Sequence, residues 1–102
     1  MNMGDLLKQA QQFQQKMGTI QEELSRKVVT GTAGGGMVTA TVNGKGELVG
    51  LAVEKSIVNP DDVEMLQDLV LAAVNDGLNK ARELGKEEMG KLTGGMNLPG
   101  MF

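Results

Sequence analysis

A chain of 102 residues with no Cys, His, Trp or Tyr excludes much chemistry: it has no disulfide framework, no thiolate metal site and no imidazole to act as general base or zinc ligand. Its net charge of −3, from ten basic and thirteen acidic residues, argues against a generic nucleic-acid binder. A single domain this short buries a limited core by itself, which points to burial against a partner.

From Met3 to Lys27 the apolar residues Met3, Leu6, Ala10, Phe13, Met17, Ile20 and Leu24 recur at alternating steps of three and four, the a/d seam of a heptad pattern. Leu7 widens the stripe near its start, and Gly18 is the one weak residue of the predicted helix 3–27. Val28–Ala33 is rich in β-branched residues and reads as a first strand, followed by the three glycines 34–36. Val38, Ala40 and Val42 then alternate with Thr39, Thr41 and Asn43, and Val49, Leu51 and Val53 alternate after a turn. This period of two predicts a hairpin, with Asn43-Gly44 as a type I′ turn and Gly46 leaving room for a bulge or a longer loop. Strands therefore occupy 28–55 as a three-stranded antiparallel meander.

Asn59-Pro60-Asp61-Asp62 reads as a helix start, with Asn59 as cap and Pro60 in the first helical position, opening a second helix over 60–92. Its apolar face includes Leu66, Val70, Ala73, Val74 and Leu78, which are the predicted dimer contacts. Unbroken, this helix is roughly 50 Å long, longer than the globule of a chain this size, so it must overhang, break or pack on a second subunit. Residues 93–102 form a Gly- and Pro-punctuated tail, expected to be disordered when unbound. No continuous apolar run resembles a signal peptide or reaches membrane-spanning length, which predicts a cytosolic chain without membrane attachment.

Candidate sites are few. The glycines 34–36 lack the Lys-Ser/Thr ending and following helix of a phosphate loop, so they read as a turn. Asp61, Asp62, Glu64 and Asp68 would suit a carboxylate metal site, but acids in the first turns of a helix are ordinarily there to cap it and to meet its dipole. No catalytic residue, metal, cofactor or small-molecule substrate is predicted. Charge is more informative. Residues 59–79 carry five acids and no base, whereas the first helix and the stretch from residue 80 onward are weakly basic. Lys80 and Lys91 share one side of the second helix, and Arg82 and Lys86 share another, either gripping phosphates or pairing with the interleaved Glu83 and Glu87.

The strings LLKQAQQFQQKM, VTGTAGGGMVTATVNGKGEL, DDVEMLQDLVLAAVNDGLNKA and GGMNLPGMF, in this order over almost the whole chain, resemble the YbaB/EbfC family of bacterial nucleoid-associated proteins. The resemblance implies an α+β homodimer of α-β-β-β-α subunits whose two long helices project like tweezers. It also implies binding to double-stranded DNA, association with the nucleoid, effects on gene expression and no enzymatic activity. On that basis the predicted DNA contacts are Lys8, Gln12 and Lys16 on the first helix, with Lys80, Lys86 and Lys91 on the second; Gln9 and Gln15 add amide groups able to reach phosphates or base edges. The alternative is a non-enzymatic interaction module whose exposed helical seam engages another protein and whose DNA association is indirect.

Overall fold

The structure, a computed structural model, describes residues 2–93; the predicted tail lies outside the described residues except for Thr93. The elements run α1 (Met3–Arg26), β1 (Val28–Ala33), β2 (Val38–Asn43), β3 (Leu48–Val53), a short 3-10 turn (Lys55–Ile57) and α2 (Val63–Thr93). The three strands form one antiparallel sheet in the order β1-β2-β3, which is the expected α+β arrangement. At ~1.5 Å per residue, 24 residues give α1 a length of roughly 36 Å, and 31 give α2 roughly 46 Å. The chain is accordingly elongated, 69 × 24 × 16 Å, with a radius of gyration of 19.3 Å, against ~13 Å for a compact chain of this size.

α2 lies across one face of the sheet, over β1 and β2. Val38, Ala40 and Val42 of β2 point at it and are fully buried, with Ala73 and Ala81 of α2 above them. The buried ridge of α2 is thus Ala73, Gly77 and Ala81, small residues one turn apart, rather than its leucines. Small side chains let the helix sit directly on the strand. A Cβ placed on Gly31 of β1 would come within 2.7 Å of the Gly77 Cα and closer still to the Gly77 nitrogen and the Ala73 carbonyl oxygen. Leu66, Leu69, Val70 and Val74 flank this ridge, half-buried against the core of Val38, Ala40, Ile57 and Ala73.

Two local expectations are corrected. The β2–β3 turn is not type I′: Asn43 has a negative φ, and the positive φ falls on Gly46, at 85°. The Gly46 amide donates to the Asn43 carbonyl (3.0 Å), the Asn43 amide to the Glu47 carbonyl (2.9 Å), and the register slips between Thr41 and Val42. This is the longer, bulged hairpin that Gly46 allows. Buried Asn43 holds the loop: its Oδ1 accepts from the Lys45 and Glu47 amides, both at 3.0 Å. Gly44 is needed for close approach instead: a Cβ there would come within 2.7 Å of the Leu24 carbonyl oxygen, to which its amide donates at 2.8 Å, capping α1.

The second correction concerns α2, which starts at Val63 rather than Pro60. Asn59 turns the chain by accepting from the Asp61 amide (3.0 Å), and Asp62 caps the helix by accepting from the Met65 amide (3.2 Å). Asp62 therefore has the capping role that acids at this position ordinarily have. The glycines 34–36 form the β1–β2 turn, all three with positive φ, closed by the Ala33–Val38 pair.

Candidate functional site

The seam of α1 brings that helix back along α2 in antiparallel sense, and their junction is the most structured feature outside the sheet. Leu24 is buried there, under Gly44 of the hairpin. Lys27 at the end of α1 reaches across to Glu88 of α2 at 2.5 Å, and Lys91 joins the same carboxylate at 3.3 Å. Glu88 is buried, yet both ammonium groups answer its charge. The hydrogen bond from Lys27, reinforced by Lys91, holds the Glu88 carboxyl below its ordinary pKa of 4.5 despite the cost of burial, while the same bond raises Lys27 above its ordinary 10.5.

A depressed carboxyl pKa stabilises the fold fully above the ordinary glutamate value, and that contribution is lost as pH falls through the lower folded value. The raised Lys27 contributes fully below 10.5 and fades as pH climbs through its higher folded value. Glu88→Gln is therefore expected to lower the melting temperature at pH 7, with the gap from wild type closing as pH falls below 4.5. Thermal melts followed by circular dichroism between pH 3 and 8, roughly the span over which such carboxylates titrate, would check this; a gap independent of pH would remove the ion pair from the account.

Open grooves flank the junction on either side. One, of about 750 Å³, is lined by Gln12, Gln15, Lys16, Thr19, Ile20, Glu23, Glu88, Lys91 and Leu92. The other, of about 810 Å³, is lined by Gln21, Leu24, Gly44, Lys45, Arg82, Gly85, Lys86 and Met89. The first mixes two lysines with two glutamates. The second collects three cations from a turn and a helix, and no carboxylate lines it.

The predicted contacts are thus divided. Gln12, Lys16 and Lys91 share the first groove, and Lys86 lies in the second. Lys8 is exposed further out on α1. Lys80 is engaged elsewhere: its Nζ donates to the Thr30 carbonyl (3.1 Å) and pairs with Asp76 (3.1 Å). Asp76 in turn accepts from the Thr32 amide at 3.0 Å, so these two side chains, one helical turn apart, brace the outer edge of β1. That backbone bond, together with Lys80, depresses the Asp76 pKa. Among the described residues, Lys8, Lys16, Arg82 and Lys86 make no ion pair. Arg82 donates instead to Asn79 Oδ1 at 2.5 Å, so the expected pairing of Arg82 and Lys86 with Glu83 and Glu87 is not what the structure contains.

Sequence reasoning leaves Lys45 out of the site and weighs Arg82, beside Lys86, between a phosphate grip and pairing with its neighbours without placing it among the predicted contacts. Glu47, two residues from Lys45, is engaged by Asn43, whose Nδ2 donates to it at 2.9 Å. The available signal is Gly44, whose contact with α1 carries its neighbour Lys45 to the helix junction.

The predicted dimer residues also separate. Ala73 is completely buried inside the subunit, beneath the surface rather than on it, and Leu78 is half-buried. Leu66, Val70 and Val74, with Gln67 and Leu71, line an open apolar groove of about 420 Å³. On the same side of the sheet, beyond the reach of α2, Leu48 and Leu51 of β3 are each 48% exposed. Among the described residues no helix is long and apolar enough to cross a membrane, and no cluster of three or more acidic residues is placed to hold a metal ion.

A profile of the YbaB/EbfC DNA-binding family matches residues 1–96. A nucleoid-associated protein of Desulfotalea psychrophila is 56% identical over 99 residues, covering 97% of this chain and 93% of the relative. Another, of Clostridium acetobutylicum, is 53% identical over 100 residues, covering 98% and 89%. Among solved structures, a crystal structure of an uncharacterized protein of Helicobacter pylori aligns with a TM-score of 0.80 at 28% identity, covering 90% of this chain and 97% of that one.

Proposed function

The chain belongs to the YbaB/EbfC DNA-binding family, a family of nucleoid-associated proteins and not of enzymes, and from that membership we propose that it grips duplex DNA as a homodimer. The grip is made by phosphate contacts from the two helical arms, and through it the protein influences nucleoid organisation and gene expression. The observation that carries this reading is the grouping of Lys45, Arg82 and Lys86 around one groove at the root of the arms, with Lys16 and Lys8 further along α1. Three cations on one open surface, none paired with a carboxylate among the described residues, have their charge available for a polyanion.

The acidic total does not oppose this. Asp61, Asp62, Glu64 and Asp68 lie at the start of α2, the end away from the junction with α1. At physiological ionic strength charges separated by more than ~8 Å are largely screened. Gln12 and Gln15 beside Lys16 add amides able to hydrogen-bond phosphate oxygens.

The dimer is proposed from the apolar surface that one subunit leaves open. A second copy laid over Leu66, Val70, Leu71 and Val74 of α2 and over Leu48 and Leu51 of β3 would cover the face that α2 itself does not reach.

Fluorescence anisotropy of labelled duplex DNA, titrated from ~50 to ~200 mM salt, tests the grip, since phosphate-dominated binding weakens steeply over that range. The triple variant Lys16→Glu, Arg82→Glu, Lys86→Glu is expected to bind at least about tenfold more weakly, with the log–log salt slope reduced by roughly one for each phosphate that is no longer neutralised. Unchanged affinity and slope would exclude these residues. One observation favours a second reading, an interaction module acting on DNA indirectly: Met3 (84%), Leu7 (63%) and Leu6 (49%) leave the outer seam of α1 open.

A further inference from the structure

Two polar side chains are buried among the described residues, and each belongs to one of the two grooves at the helix junction. Glu88 lines the first, and Asn43 opens the turn whose Gly44 and Lys45 border the second. Their chemistry differs. Glu88 meets Lys27 and Lys91 with a charge of its own, so both cations are answered within the subunit. Asn43 is neutral, and it binds an acid instead.

The turn from 43 to 47 carries one base, Lys45, and one acid, Glu47, two residues apart and both exposed. Opposite charges so close in sequence attract one another. Yet Lys45 makes no ion pair among the described residues and borders the cationic groove, whereas Glu47 is not among the described residues that line it. The carboxamide of Asn43 accounts for the separation. One end of it accepts from the Lys45 and Glu47 amides, both at 3.0 Å, and because backbone N–H groups can only donate, that end must be the oxygen. The Nδ2 end is thereby turned to Glu47 and donates to its Oε1 at 2.9 Å. The same side chain fixes the root of Lys45, whose neighbour Gly44 is anchored by donating to the Leu24 and Lys27 carbonyls at 2.8 and 2.9 Å. Only the ammonium arm is left to the groove.

We propose that Asn43 is a positioning residue for the phosphate grip: it holds Lys45 at the edge of the groove and restrains the Glu47 carboxylate that would otherwise cancel its charge. This role rests on the reading that the groove takes phosphates. Arg82 follows the same rule, because its partner, Asn79 Oδ1 at 2.5 Å, also belongs to an amide. A neutral partner fixes a cation in place and leaves its charge for a polyanion, whereas a carboxylate answers that charge inside the protein.

Anisotropy of labelled duplex DNA over the same salt range, on the full chain and its variants, tests this role. Lys45→Gln is expected to bind about threefold or more weakly, with the log–log salt slope reduced by roughly one. Asn43→Asp keeps an oxygen for both backbone amides but repels Glu47 instead of donating to it, so affinity is expected to fall at least about fivefold. Combining Asn43→Asp with Glu47→Gln restores the bond with the two groups exchanged, and affinity should return to within about twofold of wild type. Glu47→Gln alone separates restraint from a simple sum of charges. With the acid already held aside, its affinity should stay within about twofold of wild type; tighter binding than that would mean that Glu47 quenches Lys45 in the native turn, and would overturn the proposal. Because Glu47 is exposed, this variant carries the test even where Asn43→Asp fails to fold. Unchanged affinity in a folded Asn43→Asp protein, or no recovery in the double variant, would overturn the proposal as well. A loss in Lys45→Gln with none in Asn43→Asp removes Asn43 and leaves the grip standing, whereas no loss in Lys45→Gln removes Lys45 from the grip and the role of Asn43 with it.

Discussion

Gly31→Ala is expected to cost roughly 3 kcal/mol or more of stability, at or above the upper end of ordinary overpacking. The added methyl would meet backbone, not side chain: the Gly77 nitrogen and Cα and the Ala73 carbonyl. No rotamer change relieves such a contact. α2 would have to lift off β1, opening the packing of Ala73 on Val38 and Ala40, all three fully buried. Since domains of this kind hold only ~5–15 kcal/mol in total, the loss should be plain in chemical denaturation followed by circular dichroism at matched protein concentration. Gly18→Ala is the internal contrast. Nothing lies within 4 Å of a Cβ at that position in α1, so the substitution should raise stability by up to about 1 kcal/mol through helix propensity alone. Equal effects of the two changes would mean that the helix–strand crossing is looser than described.

The second large effect is expected at the proposed subunit interface. Leu51→Glu puts a carboxylate on β3, on the side of the sheet that faces α2 but that α2 leaves uncovered. The native side chain is 48% exposed in the single subunit, so one folded subunit can tolerate the change by leaving the charge in water. A dimer that buries this position cannot. Central interface residues are commonly worth ~2–4 kcal/mol, and at ~1.4 kcal/mol per decade the dimer dissociation constant should rise about 30- to 1,000-fold. Light scattering at micromolar concentration should then report a monomer with native circular dichroism. DNA affinity should fall with it, because two linked pairs of arms bind far better than one. Ala52→Glu, one residue along and on the opposite face with Thr39, should leave the association intact. A Leu51→Glu protein that remained dimeric would move the interface elsewhere.

What is legible in the sequence follows from how strongly each signal is written in side-chain type. The alternation through Val38, Ala40 and Val42 specifies a strand with one buried face, and the structure has it. The seam from Met3 to Leu24 likewise specifies α1. The contact ridge of α2 is harder to read because Ala73, Gly77 and Ala81 carry little hydrophobicity; their value lies in what they omit, and only the position of β1 reveals it. Leu66, Val70 and Val74 are the more conspicuous residues, and they lie on the flank. The start of α2 is easily misplaced because Asn59-Pro60 and Asp62 are both good starting signals, and the turn made by Asn59 passes the cap to Asp62. Among the lysines, residue type says nothing about occupation. Lys80 and Lys86 look alike in sequence, but one is bound to the Thr30 carbonyl and Asp76 while the other lies open in a groove with Lys45 and Arg82.

The bracing of β1 by Asp76 and Lys80 bears on how many copies can join. These side chains occupy the outward Thr32 amide and Thr30 carbonyl, groups with which a neighbouring strand would otherwise have to pair. β3 forms the other edge of the sheet. Contacts that build a continuous filament need two different adhesive surfaces on every subunit, each left free for the next arrival. With the β1 edge occupied, the proposed interface over β3 and the flank of α2 lies on the other side of the subunit, and two copies meeting through it would use up that side on both. In the proposed dimer growth would then stop at the pair, and the protein could be concentrated on a polymer such as DNA without becoming one itself.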